Sequence, residues 1–173
     1  DFGADGVVIP HILGVDHART VAEFAKFAPL GDRSYAGGRT VEYGGPDDEW
    51  PARQNAATSC YPMIEDRRAL EDVEAIVALD AVDGICMGMS DLSLSRGRGR
   101  YRHTDADWAD LAAAAEAARR VNKRWILPAW NEAEQERACQ LGASHMVVAM
   151  EFAALREGLE GTLHRAEWVI GRA

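Results

Sequence analysis

An α/β fold built around a parallel sheet is predicted by three observations. Strand-like and helix-like segments alternate five times along the chain, the strand-like runs are continuously apolar, and one short pattern recurs at three places. Continuous apolar runs suit strands buried on both faces, and strict alternation favours parallel pairing through crossover helices. The recurring pattern is Gly3-Ala4-Asp5-Gly6-Val7-Val8, Ala81-Val82-Asp83-Gly84-Ile85-Cys86 and Gly142-Ala143-Ser144-His145-Met146-Val147. Each copy is a small-residue turn leading into a hydrophobic strand.

The strands are expected at 6–10, 59–64, 84–87, 125–129 and 144–149. The first helix is expected over 16–27, with Asp16 as N-cap and Val21, Phe24, Ala25 and Ala28 on one stripe. Leu70, Val73, Ile76 and Val77 give the same spacing over 66–79. The alanine-rich stretch 104–121 opens on Thr104 and Asp107, the start signal of a capping box. Helices over 131–141, closed by Gly142, and over 152–170 complete the set. The one long irregular stretch runs from Pro29 to Ala57 and carries five glycines and, with Pro29 itself, three prolines. Loops of this length in compact domains serve function or an interface.

The chain has 173 residues, 47% of them hydrophobic and 27% charged, and reads as a single domain, 1–173. Its 28 acidic and 19 basic side chains leave a net charge of −9. That balance argues against a nucleic-acid or anionic-membrane partner and fits a small molecule or a metal. No apolar run approaches the ~20 residues that cross a bilayer. Cys60, Cys86 and Cys139 are far apart, with no C-x-x-C, which suits a reducing cytoplasm.

Five units fit either an open doubly wound sheet or an arc of an eight-unit barrel. A complete barrel takes about 250 residues, so a barrel would lack two to three units on the amino-terminal side. An arc of five strands also has unpaired edges at its first and fifth strands. The expectation is that a further segment exists, is disordered, or is replaced by another chain.

Two acids stand out by position. Glu65 follows the strand ending at Ile64, and Asp91 lies just beyond the strand ending at Met87. In parallel α/β architectures the active site lies at the carboxyl ends of the strands, where two acids on neighbouring strands converge. Two carboxylates with open positions suit a hard octahedral cation. The alternative reading of equal weight is that both acids cap the helices that follow them.

The stretch Ser59-Cys60-Tyr61-Pro62-Met63-Ile64-Glu65, followed by Val82-Asp83-Gly84-Ile85-Cys86-Met87-Gly88-Met89-Ser90-Asp91-Leu92-Ser93, resembles the paired metal-site motifs of the HpcH/HpaI aldolase family. Gly6-Val7-Val8-Ile9-Pro10-His11, Pro29-Leu30-Gly31-Asp32-Arg33-Ser34 and the run from Trp125 into Asn131 resemble the same family, so the likeness spans nearly the whole chain. It implies a (β/α)₈ TIM barrel of phosphoenolpyruvate/pyruvate type, of which this chain supplies roughly the last five βα units. It implies a divalent metal, Mg²⁺, Mn²⁺ or Co²⁺, held by Glu65 and Asp91, and pyruvate carboxylate binding by the backbone around Ser90 and Asp91. The implied reaction is aldol cleavage of a 4-hydroxy-2-oxo acid to pyruvate and an aldehyde. Related readings are cleavage of a malyl-CoA or citramalyl-CoA type substrate, and a noncatalytic barrel remnant that binds or oligomerises.

Two departures from the family pattern matter. Met63 stands where the family commonly has glutamine. The family's histidine base and enolate-stabilising arginine lie in the first three units, so no residue of this chain takes those roles. As a whole polypeptide the chain is expected to be weak or inactive, and as part of a longer one to be active. The resemblance also implies a homo-oligomer, with the last helix crossing a subunit boundary; its stripe of Leu155, Leu159, Leu163 and Ile170 equally suits packing on its own barrel.

Lesser candidates complete the reading. His11, at a strand end, is expected to serve structural hydrogen bonding, and His17, His103, His145 and His164 show no metal-ligand spacing. Trp130 is a pocket wall or a packing aromatic in equal measure. Arg96 to Arg102 reads as a solvated loop rather than a site for an anionic tail. Arg33-Ser34-Tyr35-Ala36-Gly37-Gly38-Arg39 lacks the lysine and the strand-to-helix setting of a phosphate loop.

Overall fold

The structure, a computed structural model, describes residues 3–35 and 38–171. Five strands, β1 (Gly6–Ile9), β2 (Ser59–Ile64), β3 (Gly84–Met87), β4 (Arg124–Pro128) and β5 (His145–Val147), pair in the order β1-β2-β3-β4-β5. Every pairing is parallel. Spatial order that follows chain order without reversal is the arrangement of a barrel arc. A doubly wound sheet would reverse at a switch point.

The helices are α1 (Val15–Glu23), α2 (Trp50–Ala57), α3 (Arg67–Glu71), α4 (Val73–Val77), α5 (Met89–Ser95), α6 (Asp105–Arg120), α7 (Glu132–Gln140) and α8 (Glu151–Ile170). Strand side chains alternate between the two faces of the sheet. Ile64, Ile85, Met87, Trp125 and Leu127 join Ile76, Leu111 and Ala118 of the helices in the main core. The opposite, concave side carries Tyr61, Cys86 and Ile126 as a separate cluster, with Met63 against it.

Several boundaries depart from expectation. α1 ends at Glu23 rather than Phe27, its N-cap is Gly14 rather than Asp16, and Phe24 is exposed while Ala18 and Ala22 are buried. The helix start is satisfied from outside, since the Val15 N–H donates to Asp72 Oδ2 at 2.9 Å. That contact also explains why 66–79 is two short helices. Asp72 ends α3 and begins α4, and its carboxylate is turned towards α1. The irregular stretch 29–57 contains α2, which starts at Trp50 with Pro51 in its first turn, where a missing N–H costs nothing. Ala36 and Gly37 of that stretch lie outside the described residues.

The capping box of α6 forms as expected: Asp107 N–H donates to Thr104 Oγ1 and the Thr104 N–H to Asp107 Oδ2. Arg96 and Arg98, read as solvated, are structural. Arg98 bonds Asp107 Oδ1 at 2.8 Å and Asp110 Oδ2 at 2.7 Å, and Arg96 bonds Asp110 Oδ1 at 2.9 Å. Both aspartates are buried in α6, so the two guanidinium groups neutralise charge that the core would otherwise expel. The last helix, α8, buries none of its residues. Among the described residues no helix is long and apolar enough to cross a membrane.

Candidate active site

Glu65 is the first residue after β2, and its side chain falls on the concave side with Tyr61 and Met63. It is only 6% exposed. Its neighbours come from the strands on both sides. From the β1 side, the His11 N–H donates to Glu65 Oε1 at 2.5 Å, and His11 Nδ1 stands 3.5 Å from the same oxygen. From the β3 side, Gly88 presses against it. A Cβ added at Gly88 would lie 2.6 Å from Glu65 Cβ, 2.7 Å from Oε2 and 3.2 Å from Met63 Sδ. The two strand ends are locked at this level by Gly88 N–H donating to Ile64 O at 3.0 Å.

The capping alternative fails for Glu65. The cap of α3 is Asp66, whose carboxylate accepts from the Arg68 N–H at 2.9 Å. The Arg68 guanidinium beside it holds the Asp66 carboxyl down, to about 2. Glu65 is therefore left facing the concave side. Asp91 lies in the first turn of α5, and no side chain caps that helix. Ser90 and Asp91 are both exposed, at the carboxyl end of β3. β2 and β3 are hydrogen-bonded neighbours with Ile64 opposite Met87, so the two acids extend from adjacent strand ends.

Glu65 and Asp91 offer two carboxylates, the donor type that hard cations take. Glu65 is a buried carboxylate seated in a cradle that any larger residue at position 88 would fill. Asp91 is a carboxylate open to solvent. Among the described residues no three His, Cys, Asp or Glu side chains gather into a group able to hold a metal alone. A dication bound by two carboxylates keeps positions for water and a chelating substrate.

A second polar cluster at the same end of the sheet joins His103 and Trp130, which the sequence offers only separately, through Glu134, which it does not single out. Glu134, 3% exposed, accepts from the Trp130 N–H at 2.6 Å and pairs with His103 Nε2 at 2.9 Å. The His103 ring lies between Tyr101 and Trp108, with centroids 4.4 and 5.3 Å away. This cluster fastens the loop before α6 to the start of α7. Trp130 is half-exposed. A cavity of about 790 Å³ lies elsewhere, along the free edge of β1, lined by Asp5, Val7, Phe24, Arg33 and Gln54. Neither Glu65 nor Asp91 lines it.

The family model of HpcH/HpaI aldolase/citrate lyase matches residues 1–152. A hydroxypyruvate/pyruvate aldolase of Roseobacter denitrificans is 28% identical over 158 residues, 90% of this chain and 61% of the relative. A 4-hydroxy-2-oxovalerate aldolase of Novosphingobium aromaticivorans is 29% identical over 97 residues, 56% of this chain and 37% of the relative. The chain thus spans less than two thirds of these relatives. The crystal structure of an HpcH/HpaI aldolase from Desulfitobacterium hafniense superposes with a TM-score of 0.86 at 24% identity, over 95% of this chain and 64% of that one. That likeness establishes the shared fold.

Proposed function

The chain belongs to the HpcH/HpaI aldolase/citrate lyase family, and from that membership we propose that its protein is a metal-dependent carbon–carbon lyase cleaving 4-hydroxy-2-oxo acids to pyruvate and an aldehyde. The observation that carries this reading is the Glu65 carboxylate. It is buried at the carboxyl end of β2, excused from capping by Asp66, and seated against the strand end that leads to Asp91.

In this reading Glu65 and Asp91 hold a divalent cation, Mg²⁺, Mn²⁺ or Co²⁺. When bound, that cation supplies Lewis-acid stabilisation of the oxyanion that develops on the 2-oxo group as the C3–C4 bond breaks. Ser90 and Asp91 lie in the first turn of α5, where backbone N–H groups have no partner within the helix and can receive the substrate carboxylate. The Met63 thioether lies on the cradle wall at the position of the family glutamine, which makes the floor of the site less polar. The chain fills the fourth to eighth units of the barrel, and the proton-transferring base belongs to units outside it.

The same reading makes the protein a homo-oligomer. Support comes from α8, which buries none of its own residues and carries Leu155, Leu159, Leu163 and Ile170 exposed.

The test is pyruvate release by the full-length protein over a panel of 4-hydroxy-2-oxo acids and malyl-CoA, with added Mn²⁺ and after chelation. Mn²⁺-dependent release from the hydroxy-oxo acids, abolished by Glu65→Ala or Asp91→Ala, is the expected result. Turnover that survives complete chelation, or survives both substitutions, overturns it.

A further inference from the structure

Glu65 is held from both sides, and the two restraints act on different oxygens. Oε1 accepts the His11 N–H from the β1 side, and Oε2 lies against Gly88 on the β3 side. The His11 contact depends on an unusual backbone. At φ 57° His11 occupies the left-handed region, which residues with a Cβ enter at a cost and β-branched residues least readily. Because φ turns the chain beyond the His11 nitrogen and leaves the N–H where it is, the positive value lets the chain reach the buried Ile12 while the amide stays on Glu65. The imidazole itself is 83% exposed. It therefore adds little packing, and the residue acts on Glu65 chiefly through its main chain. On the other side Gly88 is required by contact, because a methyl group there would overlap both Glu65 Cβ and Oε2.

We propose that His11 and Gly88 are positioning residues which together fix the Glu65 carboxylate so that Oε2, on the Gly88 side, is the oxygen presented to a divalent cation. This rests on the metal-site reading above and extends it to two residues that do not touch the ion. The amide hydrogen takes one lone pair of Oε1, which would leave Oε2 the less committed oxygen for a cation. The Glu65 rotamer is set before binding, so ordering of the side chain does not oppose metal uptake.

The experiment is Mn²⁺ affinity of the full-length protein, read from the spin-resonance signal of free Mn²⁺, with metal-free melting followed in parallel. Four variants decide it: Glu65→Gln, Gly88→Ala, His11→Gly and His11→Val. Gly88→Ala and His11→Val are expected to weaken Mn²⁺ binding about ten- to hundredfold, the usual effect of losing an outer-shell partner. His11→Gly discards the imidazole but keeps the N–H and permits the positive φ, so it should bind Mn²⁺ within about twofold of wild type. If His11→Gly loses as much affinity as His11→Val, the imidazole rather than the main chain acts, and the proposal is wrong. Wild-type affinity in folded Gly88→Ala and His11→Val also overturns it; should His11→Val fail to fold, Gly88→Ala decides. Failure of the underlying reading looks different: wild type binds no Mn²⁺, or Glu65→Gln binds it equally well.

Discussion

Lys26 Nζ lies 2.8 Å from Asp83 Oδ2, and that same oxygen accepts the Cys60 N–H at 2.7 Å. The ammonium also donates to Asn55 O at 3.0 Å and Thr58 O at 2.6 Å. One lysine, 1% exposed, thus ties the chain after α1 to the end of α2 and to the amino ends of β2 and β3. The partners differ in exposure, and the consequences of removing each should differ too. Asp83→Asn leaves a buried ammonium without a counter-charge, which costs about 3–5 kcal/mol. Lys26→Met leaves two carbonyls unpaired and an aspartate that is one-third exposed and can be hydrated, for about 1–3 kcal/mol. Urea unfolding of the two variants should therefore rank Asp83→Asn as the less stable; the reverse order would show that the ammonium is not isolated when Asp83 is neutralised.

The second stabilising cluster should be sensitive to acid. Burial raises the Asp107 carboxyl, but the Arg98 hydrogen bond and the two from Thr104 outweigh it, and the net shift is downward from the ordinary 3.8. A group whose folded pKa is depressed stabilises the fold above its unfolded value and ceases to do so as pH falls through the folded one. Stability from the Arg98 clamp should be complete at neutral pH and should fade below about pH 3.8. Arg98→Ala should cost about 3 kcal/mol at pH 7, since it leaves buried carboxylates under-compensated. The gap between Arg98→Ala and wild type, measured by chemical unfolding, should close as the pH is lowered towards 3; a gap that does not change with pH would mean that Arg98 acts by packing alone.

What could be read from the sequence follows from the range over which each interaction acts. The five strands and the capping box at Thr104 and Asp107 depend on local composition and i to i+3 spacing, and both are found. The break of 66–79 at Asp72 is set by α1, more than fifty residues away, and leaves no local mark. α2 escaped because Pro51 reads as a breaker unless its first-turn position is known. At the candidate site Glu65 and Asp91 were visible as acids following strands. The His11 amide is invisible in sequence, because a left-handed φ at a histidine has no residue signature. Gly88 was present in the motif, and only the close approach of Glu65 explains it. The arginine run at 96–102 misled because charge on a loop looks solvated until the buried aspartates of α6 are seen.

Thiol chemistry should single out Cys139. Burial pushes the Cys60 thiol up to about 11 and the Cys86 thiol to about 12, while Cys139 is exposed. The thiolate is the reactive form. An aromatic disulfide reagent at pH 8 should therefore modify one thiol per folded chain and three after denaturation. The raised values also carry a stability consequence. From the ordinary 9.0 upwards the unfolded chain loses protons that the folded chain retains, so alkaline pH between about 9 and 12 should destabilise the fold, and Cys60→Ala should flatten part of that decline. Fast modification of two or three thiols in folded protein would mean that the sheet opens readily.

The exposed stripe of α8 gives the last prediction. Leu155, Leu159 and Leu163 repeat at i and i+4 along one helix face, and Phe152 and Ile170 extend the apolar surface to both ends of the helix. None of it is covered by the chain that carries it. Twenty residues of amphipathic helix gain most of their stability from a packed apolar face, so α8 should be poorly protected wherever that face stays in water. If a second copy covers it, as the oligomeric reading requires, Leu159→Glu with Leu163→Glu places two charges in an apolar contact. The full-length protein should then dissociate to smaller species in sedimentation, and hydrogen exchange of α8 should speed up while that of β2 and β3 is unchanged. An unaltered sedimentation coefficient in the double variant would remove α8 from the interface and leave its apolar face to be covered within the same polypeptide.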